Sequence, residues 1–541
     1  MAKRLQEVQI PPGFVEGTPR QVKQRWLQGN FVRFQQGQLR PIGGWTELTL
    51  AGGSASIDSP ARGAHQWVDN DGDGYITIGT SGTSSTNGQL YVAEFVRSAT
   101  TSPTRTFTNI TPIEENSGLA TQVDAYAATG DTAYDPGYGY WVYGDQYFFS
   151  TVYSEQGSVA YVIPKVWSLD NFGEDLIGIH SGDGRIFYWD KSAGGAAKVI
   201  HVDNSFTETA PLCLATVVTA ERHVLALGAG TDQRKIQWSS QETADEWTPS
   251  ATNTAGDLTL QDSGTLITGK RVQGGVLLFT TSAVHRLNYL GPPLVYGQEI
   301  LASNAGVKTP NAIYSGPQGT YWLTQSGVWT YDGYVKKLPC PIEQRIIQTV
   351  DWGQEALLYA AGNKRYNEIW WWCPRVGGTQ KHCEYYIVYN YADNVWYDSF
   401  TTGAGIARNV WIDAEVHSSP LAVDPTNNKI YEHEVTNPEQ TEIATAETGA
   451  IDIQQGERYT RISKIFSDTN QQSAGTVNYK FFTSISGDAV EIESGNYPLE
   501  SDGEIDVRLQ GRQLRYKVTG NLAADWTVGN TRFEIHTGGR R

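Results

Sequence analysis

A chain of 541 residues with 57 glycines, 17 tryptophans and 29 tyrosines, yet only 18% charged, has room for two to four domains and the profile of a turn-rich all-β protein. Its net charge of −17 is unevenly spread: residues 1–40 and 508–541 each hold seven Lys/Arg against two Asp/Glu, and the body between them holds 27 against 54. An acidic body with basic ends is a poor nucleic-acid grip, because duplex binding needs clustered cations on phosphates, and no apolar run of about 18 residues is present to span a bilayer, so no membrane insertion is expected.

Residues 1–60 read as an extended N-terminal arm with the first strands; MAKRLQEVQIPPGF lacks the pattern of an export signal, which points to synthesis in a cytoplasm. From 61 to 435 a unit recurs: an apolar strand, a Gly- or Asp-containing turn, a second strand, then an aromatic near Gly or Asp. The segments are HQWVDNDGDGYITIGT, EDLIGIHSGDGRIFYWD, ATVVTAERHVLALG, GGVLLFTTSAVHRLNYLG, QGTYWLTQSGVWTYDG, EIWWWCPR with YYIVYNYADNVWYDSF, and LAVDPTNNKIYEHE. Ile186 and Tyr188 point to one face of their strand and Phe187 and Trp189 to the other, so both faces carry bulk and each sheet must pack between two neighbours. A recurrence of several short strands at roughly 40–60 residues predicts a β-propeller of about six blades. Residues at about 116–160, including YDPGYGYWVYGDQYFFSTVYSEQG, are too Gly- and Tyr-rich for regular strands and read as an insertion loop; within it Tyr138 to Tyr153 is expected near a channel or a subunit contact. Residues 436–541 alternate apolar and polar, as in Ile505, Val507, Leu509 and Leu514, Tyr516, Val518. They predict a C-terminal docking domain built as a β-sandwich or barrel.

Few motifs in this chain suggest chemistry. Asp69, Asp71, Asp73 and Gly74 match the opening of a calcium loop, and these three aspartates are the candidate metal ligands. The bidentate Glu that would close such a loop is replaced by Thr80, and strands run in and out of the segment. A hairpin turn is therefore the preferred reading, since Asp and Gly tolerate positive φ. GTLITGKR (264–271) resembles a phosphate loop, but Arg271 stands where a magnesium-binding hydroxyl is needed and a strand follows, so a blade turn is expected. The four cysteines (213, 340, 373 and 383) show no C-x-x-C spacing and read as buried thiols. No H-E-x-x-H or G-x-S-x-G occurs, and we assign no catalytic residue and no cofactor.

Six segments, RPIGGW, ARGAHQW, WSLDNFGEDLIGIHSGDGRIFYWD, RKIQWSSQETADEWTP, GVWTYDGYVKKLPCPI and GRQLRYKV…WTVGNTRFEIHTGGRR, resemble in this order the tail nozzle, or packaged-DNA stabilisation, proteins of short-tailed bacteriophages. The resemblance implies a non-enzymatic structural protein of the virion tail, assembled in the host cytoplasm. It also implies a homo-oligomer, a hexameric ring, that docks an upstream tail adaptor and a tail fibre or spike and extends or gates the exit channel. Double-stranded DNA would pass through that channel without sequence-specific binding. Acidic walls would repel the DNA, and the basic ends would face protein neighbours. A carbohydrate-binding or glycan-hydrolysing propeller, with Trp370, Trp371 and Trp372 stacking on sugars, is the alternative.

Overall fold

The computed structural model describes residues 3–19, 21–50, 53–82, 87–95, 106–112, 132–134, 161–262, 264–378, 382–400, 407–437, 439–456, 458–471, 476–485 and 490–537. Most of the Gly/Tyr insertion, with Tyr138 to Tyr153, lies outside them; what is described there is a short pair, Thr132–Tyr134 with Tyr161–Ile163. Among the described residues there is one α-helix, Glu343–Thr349, and no helix long and apolar enough to cross a membrane.

Seven four-stranded antiparallel sheets form the propeller, one more than the spacing suggested. Blade 1 is Ala61–Val68, Gly74–Thr80, Leu90–Phe95 and Thr108–Asn109; blade 2 is Trp167–Phe172, Asp175–His180, Phe187–Trp189 and Lys198–Val199. Blade 3 is Ala215–Val218, Val224–Leu227, Lys235–Trp238 and Gly256–Thr259; blade 4 is Leu266–Val272, Gly275–Thr280, Val284–Gly291 and Val295–Ala302. Blade 5 is Ile313–Gly316, Gly319–Thr324, Gly327–Tyr331 and Val335–Lys337; blade 6 is Tyr359–Asn363, Glu368–Cys373, Tyr385–Asn390 and Val395–Phe400. In blade 7, Val410–Ile412, Leu421–Asp424 and Lys429–Val435 are completed by Gly44–Glu47, which comes from the other end of the chain. The first strand of each blade contacts the first strand of the next, and that of blade 7 contacts that of blade 1, so the ring is closed. Blade 7 shortens the repeat in the sequence because its outer strand is borrowed, and this made the count hard to read.

Packing between blades follows from bulk on both faces. Trp67, Tyr75 and Leu90 of blade 1 share one core with Trp167, Leu176, Phe187 and Trp189 of blade 2. Small residues let the sheets approach: a Cβ on Gly79 would lie 2.4 Å from the Trp167 ring.

The N-terminal segment does not run free as an arm. Lys3–Val8, Val32–Gln35 and Gln38–Pro41 join Trp526–Thr537, Thr460–Gln471 and Glu504–Gly511 in one six-stranded sheet. Trp26–Asn30 joins Ile443–Thr448, Ile451–Asp452, Gln513–Asn521, Val477–Ser484 and Ile492–Pro498 in a second. The sheets face each other as a sandwich: Trp26 and Tyr516 of the second pack edge to face at 6.0 Å, and Trp26 lies 6.2 Å from Phe34 of the first. As the period-two pattern predicts, Ile505, Val507, Leu509, Leu514, Tyr516 and Val518 are buried, with Asp506 and Arg508 outside.

Candidate functional site: buried junction, channel axis and charged surfaces

Two domains built from both chain ends must be held in register, and a buried ionic node does this. Arg33, on a sandwich strand, lies 2.9 Å from the Glu368 carboxylate of blade 6 and 2.5 Å from that of Glu434 at the end of blade 7. Glu434 also accepts hydrogen bonds from the Gly43 amide (3.0 Å) and Asn363 Nδ2 (3.0 Å). Glu368 accepts from Trp370 Nε1 (2.9 Å) and from the Tyr397 hydroxyl. Burial pushes the Glu368 carboxyl up, Arg33 pulls it the other way, and burial wins. A second node closes blade 7: Arg408 Nε donates to His433 Nε2 at 2.9 Å, and Trp45 stacks on that imidazole at 5.7 Å. Burial, with Arg408 beside it, drives the His433 pKa well below its ordinary value. Both nodes are buried, so neither is accessible to a substrate.

The first strands of the blades are joined by polar contacts. Arg271 of blade 4 reaches Asp170 of blade 2 (3.3 Å), whose other oxygen accepts the Val218 amide of blade 3 (2.9 Å). His65 of blade 1 meets Asn171 of blade 2 at 3.2 Å, and Ser315 of blade 5 donates to the Arg271 carbonyl at 3.3 Å. Burial lowers the Lys270 pKa, with Asp170 opposing. The Arg271–Asp170 pair thus links the first strands of blades 2 and 4, which are not neighbours in the ring.

At the aspartate turn, Asp69 of the three candidate ligands Asp69, Asp71 and Asp73 is engaged within the chain. Asp69 Oδ1 accepts the amides of Asp71 (3.0 Å) and Asp73 (2.8 Å), and its Oδ2 accepts from the ammonium of Lys191 in blade 2. Burial works against the charge on Asp69, but the Lys191 bond and the two amides outweigh it and hold the carboxyl below its ordinary value. A lysine ammonium therefore pairs with Asp69, and the Asp69 side chain is turned into its own loop. No group of three or more His, Cys, Asp or Glu side chains that could hold a metal ion occurs among the described residues.

Other sequence candidates resolve into structure. GTLITGKR is not a blade turn, as expected, but chiefly the innermost strand of blade 4. Trp370, Trp371 and Trp372 are core residues of blade 6, each at most 1% exposed, and so cannot stack on sugars. Cys213, Cys373 and Cys383 are buried free thiols and Cys340 is half-buried; burial pushes Cys213 and Cys383 up to about 12. Two open polar clefts are present, one of about 460 Å³ lined by Glu16, Arg345, Glu447 and Arg515 between propeller and sandwich, the other of about 380 Å³ beside Trp45 and Tyr431. The cations of the first are engaged within the chain: Arg345 with Asp398 at 2.6 Å, Arg515 with Glu491 at 2.6 Å.

Folding also redistributes the charge pattern seen in the sequence. Strands from both basic ends enter the sandwich; in the sequence, residues 1–41 and 436–541 together hold 18 Lys/Arg against 17 Asp/Glu, and residues 42–435 hold 23 against 41. Several terminal cations pair within the chain, including Lys23 with Asp452 (2.6 Å) and Arg532 with Asp468 (2.6 Å).

No protein-family model and no curated protein matches the chain. Among solved structures it is similar to the WD40 domain of Neurospora crassa Pan2, at 10% identity over 72% of this chain and 95% of that one, with a TM-score of 0.34. It is also similar to a Saccharomyces cerevisiae Dbp5 structure with Nup159 and Gle1 (9%; 65% and 88%; TM-score 0.29) and to a glycoside hydrolase (9%; 88% and 98%; TM-score 0.24). Among the described residues the fold is an all-β propeller of seven blades with a sandwich woven from strands near both ends of the chain.

Proposed function

We propose that the protein is a structural component of a short-tailed phage virion: several copies form the tail nozzle, a ring that extends the DNA exit and docks an adaptor on one side and a fibre or spike on the other. The observation that carries this reading is the separation of charge along the chain: residues 42–435, which include the propeller, hold 41 Asp/Glu against 23 Lys/Arg, while residues 1–41 and 436–541, which include the sandwich, are near neutral. Acidic propeller walls facing a shared lumen would repel phosphate and deny it the counterion-releasing contacts that make DNA stick. The sandwich, free of that excess, is suited to docking other proteins. In this reading the lumen lies between copies. The ordered resemblance to nozzle proteins supports the same reading, and we assign the chain no catalytic role.

The test is to assemble virions without this chain. Particles that package DNA but lose it, and regain retention when the purified protein is added, are expected. Purified virions that lack the chain altogether, or that retain and eject DNA normally without it, would overturn the proposal.

A further inference from the structure

The propeller is electrically lopsided. Residues 161–262, which include blades 2 and 3, hold 14 Asp/Glu against seven Lys/Arg, whereas residues 264–345, which include blades 4 and 5, hold three against seven. Among the described residues of the propeller, the basic sector also carries the longest uncovered edge strand. The outermost strands of blades 1, 2, 3, 5 and 7 are two to four residues long, and that of blade 6 is covered by the sandwich through the Phe14 amide on the Trp396 carbonyl (2.8 Å). Blade 4 ends instead in Val295–Ala302, eight residues paired on one side only among the described residues.

Apolar side chains are concentrated at the same place. Leu290 and Leu294 flank the tip of the hairpin leading into that strand and are 58% and 69% exposed; Ile300 on the strand itself is 54% exposed. Tyr334, 63% exposed, sits in the equivalent turn of blade 5, and equivalent turns emerge at the same end of a propeller. A long edge strand with exposed apolar side chains is an aggregation hazard unless something covers it.

We propose that this edge and tip of blade 4, with Tyr334, dock a second copy of the chain, head to tail, against its acidic blades 2 and 3. The charge signs select the occupant. Two basic sectors repel, which disfavours a two-fold contact, while a basic sector facing an acidic one gives a heterologous interface that propagates into a ring or an open chain. The inference deepens the ring reading above by naming its contact face, and rests on that reading only for the association of copies.

The test uses the full chain in sedimentation over a concentration series at low and high salt, with Leu294→Asp, Ile300→Asp and Leu294→Lys. Unchanged thermal unfolding of the variants confirms that they fold. Association that weakens with salt is expected, with a roughly ten-fold or greater rise in dissociation constant for each Asp variant and a smaller one for Leu294→Lys. Carbodiimide cross-linking of isotopically mixed copies should join Lys308, Lys336 or Lys337 of one copy to carboxylates of residues 161–262 of another. Single copies at every concentration in low salt, Asp variants that associate like the wild type, or cross-links confined to other surfaces would overturn the proposal. Rings whose cross-links map elsewhere would sink this face and leave the nozzle reading standing. Association through this face in a chain absent from the virion would do the reverse.

Discussion

Arg33 and Glu434 are 401 positions apart in the chain, yet their side chains meet at 2.5 Å in the interior, where sandwich, blade 6 and blade 7 converge. One guanidinium serves two buried carboxylates, so the cost of losing it far exceeds that of a surface ion pair. Arg33→Met should lower stability by about 3–5 kcal/mol, read as a fall in the unfolding midpoint, because two carboxylates remain buried without their cation. The sign of the pH effect follows from the raised Glu368 pKa. The native state binds a proton that the unfolded state releases, so this group favours folding at acid pH, and the contribution is lost as pH rises through the folded value. Part of the Arg33→Met deficit should therefore be recovered on acidifying from neutral toward the ordinary Glu range. A deficit that deepens instead would show that the carboxylates are not the cause.

The Asp69 turn should ignore calcium. Adding calcium or a chelator should leave the unfolding midpoint unchanged, whereas Asp69→Ala should cost about 1–3 kcal/mol by stranding two amides and Lys191. Since the Asp69 pKa is lowered, its contribution is present above the ordinary Asp range and lost as pH falls through the folded value. A midpoint that climbs with calcium would restore the metal reading.

Closure of the ring depends on the N-terminal segment. Trp45→Ala removes the stack on His433 and opens a cavity, with an expected loss of about 3–5 kcal/mol. Deleting residues 1–47 takes away the outer strand of blade 7 and four strands of the sandwich, and should give aggregated protein. Soluble, cooperatively folding material from that deletion would show that the ring closes without its borrowed strand.

Trp371→Ala should destabilise by about 3–5 kcal/mol, because the side chain is fully enclosed and its indole donates to the Ala312 carbonyl at 3.1 Å. Host glycans should leave the wild-type unfolding midpoint unshifted. Protection by a glycan that disappears in this variant would argue for the carbohydrate alternative.

Duplex DNA should not bind the purified chain measurably at physiological salt, with affinity weaker than the about 10⁻⁴–10⁻⁶ M of ordinary non-specific binders. Fluorescence anisotropy with labelled duplex over a salt series checks this. Binding that strengthens steeply as salt is lowered, with a slope reporting several phosphate contacts, would contradict a low-adhesion surface.

Much of this protein is local and therefore legible in the sequence. Alternation in 505–518 gave the sandwich strands, Asp and Gly at 69–74 marked a hairpin, and paired bulk at 186–189 demanded sheets covered on both faces. Each of these depends on neighbours a few residues away, through strand periodicity or turn chemistry. What only the tertiary structure decided is non-local: that Gly44–Glu47 completes blade 7, that the supposed arm is sandwich, that Asp69 spends its charge on Lys191, and that the basic ends meet each other. An antiparallel strand carries the same alternating pattern whichever partner it pairs with, and a charge has no preferred partner until packing brings one within reach. Partner choice was therefore invisible until the chain was folded.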